Sequence, residues 1–234
     1  MSRVKTALFL AFPNVGEQDL LAAWELLRSH AWSTNQRGEG SFEVTLGSLT
    51  PGPITTHMGA TLALERQITP TDRFDLIYIP GGVGAAEAAR DETVLRFVRD
   101  HHAERRWVAG NCAGMGVLHR AGILDGVEVT APATISRRLR AEETSIASPR
   151  RAWKIVPERR IFTAAGAATV HPSTIALVWH LFGDQAAREL AANWDTLPLH
   201  GDQLFSLHGP QMHDDAHTTQ AVQASWEDVL LPAA

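Results

Sequence analysis

The sequence predicts an α/β protein, with a mostly parallel sheet and helices on both faces. Short β-branched apolar runs alternate with longer amphipathic segments, which is typical of crossover units in a parallel sheet. The 234 residues are 44% hydrophobic, enough for one sizeable core. A single cysteine excludes an intramolecular disulfide, so burial must supply the stability.

Apolar periodicity places the individual elements. The clearest strand is "FDLIYIPGG", which ends in a glycine pair. A helix over 17–30 carries Leu20, Leu21 and Trp24 on one face, and a break rich in glycine, serine and asparagine follows at 33–40. We predict strands at 4–12, 41–49, 74–82 and 105–111, a small hairpin within 53–65, and helices at 17–30, 87–104 and 113–124.

Charge and hydropathy limit the partners. The formal net charge is −5, and the lysines and arginines are scattered, so we expect no nucleic-acid partner. No apolar run approaches the roughly 20 residues of a membrane span, and the start of the chain turns polar too soon for a signal peptide. We therefore expect a cytoplasmic protein with no membrane partner.

The only cysteine, Cys112, lies where a predicted strand turns into a predicted helix. It is the centre of a G-x-C-x-G sequence that runs from Gly110 through Asn111 and Ala113 to Gly114. This is the cysteine counterpart of a nucleophile elbow, in which the glycines allow close packing and the side chain stands above the sheet. A helix N-terminus stabilises a thiolate, so we expect a pKa below the ordinary thiol value. The alternative is a buried cysteine used as a small apolar residue.

Two more loops are expected at the same edge of the sheet, because the carboxyl ends of parallel strands share one crevice. The backbone N–H groups of Gly81, Gly82 and Ala113 could stabilise a developing negative charge, although Gly81–Gly82 also fits a plain tight turn. If the loop belongs to the site, a side chain at Gly82 should reduce turnover more than stability.

The first loop offers two carboxylates, Glu17 and Asp19, near a helix N-terminus. Carboxylates are favoured there as capping charges alone. If the apolar face of the helix points to the core, Asp19 lies closer to the buried edge than Glu17 does. Asp19 is therefore the better candidate to share a proton with Cys112, and Glu17 is the second candidate.

Three segments together resemble a known family. They are "AFPNVGEQDLLAAWELL", the stretch from "FDLIYIPGG" to "NCAGMGVLHRAGILDG", and "IFTAAGAATVHPSTIALVWHLFGDQAARELAANWD". They are similar to the ThiJ/PfpI superfamily, a glutamine amidotransferase-like group, and within it to the isocyanide hydratase branch. The resemblance covers about 4–195. We take 1–195 as one domain, and 196–234 is then a C-terminal extension that is packed on it or partly mobile.

The resemblance implies a flavodoxin-like three-layer sandwich that forms a homodimer. It implies a cysteine nucleophile at Cys112, a carboxylate partner at Asp19, and an oxyanion site made by the backbone N–H groups of Gly81, Gly82 and Ala113. Asn111, beside the cysteine, is a possible further site residue. No metal or organic cofactor is expected.

The chain also departs from the family pattern. Isocyanide hydratases usually follow the cysteine with threonine, where this chain has Ala113. Many superfamily members place a histidine after the next strand, where this chain has Pro132, so a Cys-His-acid triad is absent at that position. His171, just before "PST", is a possible substitute, although a lone histidine at a helix start is more often structural.

Other polar clusters have simpler interpretations. The spacing of His200, His208, His213 and His217 fits no metal-binding motif, so we expect a surface segment. His101 and His102 end a predicted helix, where imidazolium complements the helix dipole. The stretch "RRLRAEE" reads as a solvated helix face.

The sequence thus predicts a cysteine-dependent hydratase, a lyase that adds water to a small electrophilic substrate through Cys112 and Asp19. In the isocyanide case the product is an N-substituted formamide. One alternative is glyoxalase or deglycase chemistry on 2-oxoaldehydes, which would use the same two groups. Another is a non-catalytic ligand- or redox-sensing domain, like those joined to AraC-type regulators.

Overall fold

A central sheet organises the protein, which is described by a computed structural model over residues 4–195 and 201–233. Among these residues, seven strands form the sheet in the order β5-β2-β1-β6-β7-β9-β8. All neighbouring pairs are parallel except β8 with β9. The strands are β1 Thr6–Leu10, β2 Glu43–Ser48, β5 Arg66–Gln67, β6 Leu76–Ile79, β7 Trp107–Asn111, β8 Trp153–Val156 and β9 Ile161–Ala164, and an antiparallel hairpin pairs β3 Ile54–Thr55 with β4 Thr61–Leu62.

Helices cover both faces of the sheet, which confirms the predicted three-layer α/β fold. Helices α1, α6 and α7 contact one another on one face, and α2, α3 and α4 form the other layer. Strands β6 and β7 are buried along their whole length, as expected for strands covered on both faces. The helices are α1 Ala23–Gln36, α2 Ala85–Ala88, α3 Glu92–Ala103, α4 Gly114–Arg120, α5 Ala133–Ala141, α6 Val170–Phe182, α7 Asp184–Asn193, α8 Gly201–Leu204 and α9 Ala216–Leu230.

All three predicted helices have different bounds in the structure, and α4, predicted over 113–124, ends at Arg120. Helix α1, preceded by a π-helical turn at Gln18–Ala22, continues to Gln36, so the expected break starts later. The predicted helix over 87–104 is instead two helices, α2 and α3. Asp91 separates them, because its carboxylate accepts a hydrogen bond of 2.8 Å from the backbone N–H of Thr93 and caps α3.

The expectation for His101 was wrong. Its side chain is fully buried, and its Nδ1 lies 2.8 Å from the carbonyl oxygen of Phe97. Burial lowers the pKa of His101 to about 4, so the ring is neutral at physiological pH. Desolvation therefore outweighs the helix dipole, which would favour imidazolium.

The "RRLRAEE" stretch is only partly a solvated face: Arg137, Arg140, Ala141 and Glu143 are exposed, but α9 packs on α5. The buried carboxylate of Glu227 on α9 forms an ion pair with Arg137 at 2.7 Å and accepts a hydrogen bond of 3.0 Å from the backbone N–H of Arg138. The Arg138 side chain donates to the carbonyl oxygen of Leu231 at 2.7 Å. Much of the C-terminal extension is thus held by arginines that sequence patterning assigned to solvent.

No helix in the described part of the chain is long and apolar enough to cross a membrane.

Candidate active site

The candidate site lies at the carboxyl ends of three adjacent strands, β1, β6 and β7. The loops that follow them bring Asp19, Gly81 and Cys112 together. In an open α/β sheet a crevice forms where the connections after two neighbouring strands lead to opposite faces of the sheet, as they do here after β1, which leads to α1, and β6, which leads to α2. Such a crevice is the usual ligand site.

Cys112 occupies a sharp turn between β7 and α4. Its φ is 52°, a left-handed conformation that is uncommon for a residue with a side chain. The turn is closely packed, since a Cβ on Gly114 would lie 2.3 Å from the carbonyl oxygen of Ile79 in β6. These are the features of a nucleophile elbow, and they leave the cysteine partly exposed.

Gly81 provides the space in which Asp19 and Cys112 meet. A Cβ at this position would lie 2.5 Å from Oδ2 of Asp19, 2.6 Å from Cβ of Cys112 and 2.9 Å from the backbone nitrogen of Ala113. Any residue other than glycine would therefore push the carboxylate and the thiol apart. Sequence reasoning assigned this glycine a backbone N–H role; the structure shows a steric role.

Gly82 shapes the loop and also faces the sulfur. Its φ is 101°, and a Cβ would lie 2.1 Å from the backbone nitrogen of Gly16. A larger residue would therefore disrupt the packing of two loops, so we expect substitution at Gly82 to lower stability as well as turnover. The backbone N–H groups of Gly82 and Ala113 both point at the Cys112 sulfur and lower its pKa.

Asp19 is a buried acid that pairs with no cation among the described residues. It lies in the π-helical turn before α1 and is only 4% exposed. Its Oδ1 accepts a hydrogen bond of 2.6 Å from Nδ2 of Asn111. Burial raises the pKa of Asp19 to about 6, although the contacts with Cys112 and Asn111 favour the carboxylate.

The pKa of the Cys112 thiol is raised, whereas the sequence predicted that it would be lowered. Although the residue as a whole is partly exposed, desolvation of its sulfur and the negative charge of Asp19 raise its pKa above the ordinary thiol value, and the N–H groups of Ala113 and Gly82 do not offset them. The sequence prediction considered only the effect of the helix N-terminus on the thiol pKa. That helix, α4, has just seven residues. Two negative charges cannot readily coexist here, so the pair shares one charge and one proton near neutral pH.

Glu17 is directed away from this pair. Its carboxylate accepts hydrogen bonds from the Thr56 hydroxyl and, at 2.8 Å, from the backbone N–H of Met58. Although burial raises the pKa of Glu17, these bonds bring it below its ordinary value. Glu17 therefore fastens the turn of the β3–β4 hairpin to the first loop, and the structure brings Asp19 alone to the cysteine.

The histidine candidates lie elsewhere. His171 is exposed in the first turn of α6, with its ring 6.3 Å from the ring of Trp194. Pro132 precedes α5 as its N-cap residue. Among the described residues no histidine hydrogen-bonds to Asp19 or Cys112.

Sequence reasoning missed two polar residues behind the pair. Tyr78 of β6 is fully buried, stacks on Phe9 with a centroid distance of 4.8 Å, and has a pKa raised by burial and by the charges of Asp19 and Cys112. Thr174 of α6, also fully buried, contacts the Tyr78 hydroxyl. The available signal was the only tyrosine of the chain inside an otherwise apolar strand.

Within 4–195 and 201–233 no group of three or more histidine, cysteine, aspartate or glutamate side chains is placed to hold a metal ion. His200, one of the C-terminal histidines, lies outside the described residues.

Comparison with known proteins identifies the family. The family model for the DJ-1/PfpI family matches residues 5–177, which is most of the chain. The chain belongs to the DJ-1/PfpI family. This confirms the resemblance inferred from the first loop, the "PGG" strand end and the cysteine elbow.

Individual members of the DJ-1/PfpI family show how far the similarity extends. The chain is 31% identical over 122 residues to an isonitrile hydratase of Pseudomonas putida, an alignment that covers 52% of this chain and 50% of that one. The chain thus spans about half the length of this curated relative.

Solved structures share the fold at lower identity. DJ-1 of Toxoplasma gondii, in an oxidized form, has a TM-score of 0.67 at 18% identity, and the match covers 81% of this chain and 97% of that one. An AraC family transcriptional regulator from Pseudomonas putida has a TM-score of 0.68 at 20% identity, covering 81% and 99%. These likenesses support the fold alone.

Proposed function

We propose that the protein is a cysteine-dependent hydratase that converts an isocyanide and water into an N-substituted formamide. The observation that carries the proposal is the meeting of Asp19 and Cys112 across Gly81, with the N–H groups of Gly82 and Ala113 aimed at the sulfur. The similarity to an isonitrile hydratase supports this choice of substrate.

In the first step Asp19 acts as the base for the thiol. With a pKa of about 6 it is largely ionised at neutral pH, whereas the thiol is protonated. As the sulfur forms a bond to the terminal carbon of the isocyanide, the thiol proton passes to Asp19 and from there to the same carbon. The product of this step is a thioimidate, R–N=CH–S–Cys112.

In the second step water adds to the thioimidate. Its hydroxyl binds the carbon and its remaining proton goes to the nitrogen, giving a tetrahedral adduct. The carbon–sulfur bond then breaks, the hydroxyl proton returns to the sulfur by way of Asp19, and the formamide R–NH–CHO leaves. The N–H groups of Gly82 and Ala113 stabilise negative charge on the sulfur as it departs.

Incubation with an alkyl isocyanide and, separately, with methylglyoxal tests the proposal. Formamide from the isocyanide, detected by NMR and lost in Cys112→Ala, is the expected result. Lactate from methylglyoxal without formamide would indicate glyoxalase chemistry instead. Binding without turnover of either compound would favour a sensing domain.

The family resemblance also leads us to propose a cytoplasmic homodimer that needs no metal or organic cofactor, since the reaction above uses only the protein's own acid and nucleophile. Light scattering on the purified protein and activity after dialysis against a chelator test these two points.

A further inference from the structure

The side chain of Asn111 links the nucleophile elbow to the acid. Its Nδ2 lies 2.6 Å from Oδ1 of Asp19, and its side chain is fully buried at the end of β7. Asn111 directly precedes Cys112 in the chain. Two consecutive residues therefore contact the same carboxyl group.

The two oxygens of Asp19 have different surroundings. Oδ1 accepts the hydrogen bond from the amide of Asn111, which has no lone pair on its nitrogen with which to accept a proton in return. Oδ2 lies beside Gly81. A Cβ added at Gly81 would lie 2.5 Å from this oxygen and 2.6 Å from Cβ of Cys112. A proton on the neutral acid therefore belongs on Oδ2, the oxygen beside the thiol.

We propose that Asn111 is a positioning residue for the Asp19–Cys112 pair: it holds Oδ1 and directs the shared proton to Oδ2. The inference rests on the same pair as the proposed function but not on the identity of the substrate. The amide oxygen of Asn111 has no hydrogen-bond partner among the described residues, so no other described contact fixes the amide orientation.

The other described groups near the carboxyl of Asp19 do not take this positioning role. The titratable groups that face Asp19 are Cys112 of the elbow and Tyr78 of β6. Helix α6 contributes the neutral hydroxyl of Thr174 beside Tyr78, and Glu17 on the same loop is bound to the hairpin. No cation in the described structure forms an ion pair with Asp19. Among the described side chains, its hydrogen-bond donors are the amide of Asn111 and the thiol of Cys112.

Infrared titration of the protonated carboxyl band tests the proposal, with Asp19→Asn to assign the band. Loss of the amide in Asn111→Leu removes a donor to the carboxylate, so the midpoint should rise by about one to two pH units, the size of one charged hydrogen bond. Thr174→Val is the matched control, because it removes a buried polar group that does not bind Asp19, and its midpoint should stay at the wild-type value.

A folded Asn111→Leu protein with the wild-type midpoint, or an equal shift in Thr174→Val, would overturn the proposal. If Asn111→Leu does not fold, NMR of the wild-type protein tests the proposal instead. The chemical shift of the Asn111 side-chain amide must change with pH at the midpoint of Asp19, and a chemical shift that stays constant across that range overturns the proposal. Both readouts are independent of turnover. A protein inactive on isocyanides that shows the shift would therefore reject the proposed substrate and keep this inference.

Discussion

Among the described side chains, Asp19 and Glu227 are the two buried carboxylates. They are almost equally buried, at 4% and 5% exposure, yet they have different partners. Glu227 on α9 is held by Arg137 and by the backbone N–H of Arg138. Asp19 accepts a hydrogen bond from the neutral amide of Asn111 and lies beside the thiol of Cys112. None of the described cationic residues forms an ion pair with it.

The comparison shows that the partners of these two carboxylates, rather than their burial, distinguish them. A buried carboxylate paired with arginine joins two elements of the fold. A buried acid without a cation has a raised pKa and can exchange a proton near neutral pH, which is what acid–base chemistry requires. Burying Asp19 without a cation lowers the free energy of unfolding, and the rest of the fold must compensate for this loss.

The largest effect is expected from Asp19→Asn. Asparagine keeps the shape and still accepts the hydrogen bond from Asn111, but it cannot exchange a proton with the thiol. Isocyanide turnover should fall by roughly 10² to 10⁴. Steady-state rates of the folded variant measure this, and a rate within threefold of wild type would leave Cys112 without its proposed partner.

The pH dependence of stability should reveal the same residue. Because the pKa of Asp19 is raised in the folded state, that state binds more protons than the unfolded chain between about pH 4 and pH 6. Stability should therefore decrease as pH rises through this window, by about 3 kcal/mol in total.

Urea unfolding of wild type and Asp19→Asn across this pH range isolates the contribution. The variant should be the more stable protein at pH 7, with the difference disappearing near pH 4. A difference that does not depend on pH would mean that Asp19 does not titrate as described.

At the other carboxylate, Glu227→Gln should lower stability and spare turnover. It removes the charge that pairs with Arg137, and because that arginine is half-exposed we expect a loss of about 1–3 kcal/mol. Thermal unfolding and isocyanide turnover of one preparation check both parts. A large drop in turnover without loss of stability would contradict the structural role.

The smallest effect is expected from Glu17→Gln, a control in the same loop as Asp19. The amide can still accept from Met58, so stability should decrease by about 1 kcal/mol or less, with nearly normal turnover. A rate loss as large as that of Asp19→Asn would show that the hairpin, rather than proton exchange, limits the reaction.

Part of the site was predictable because it depends on local sequence. The elbow at Cys112 follows from a strand, two glycines and a helix read in order, and the choice of Asp19 over Glu17 follows from the apolar face of the helix predicted over 17–30. The hydrogen bond between Asn111 and Asp19 joins residues 92 positions apart, and no local pattern contains it.

The amino-acid sequence by itself determined the α/β class, the family and the residues that form the elbow, because apolar periodicity and glycine placement act over short stretches. Only the tertiary structure decided the acidities. Whether a carboxylate, thiol or imidazole is charged depends on the solvent and charges that the fold places around it. The thiol pKa, the neutral state of His101 and the partners of Glu227 were therefore set by contacts between distant segments.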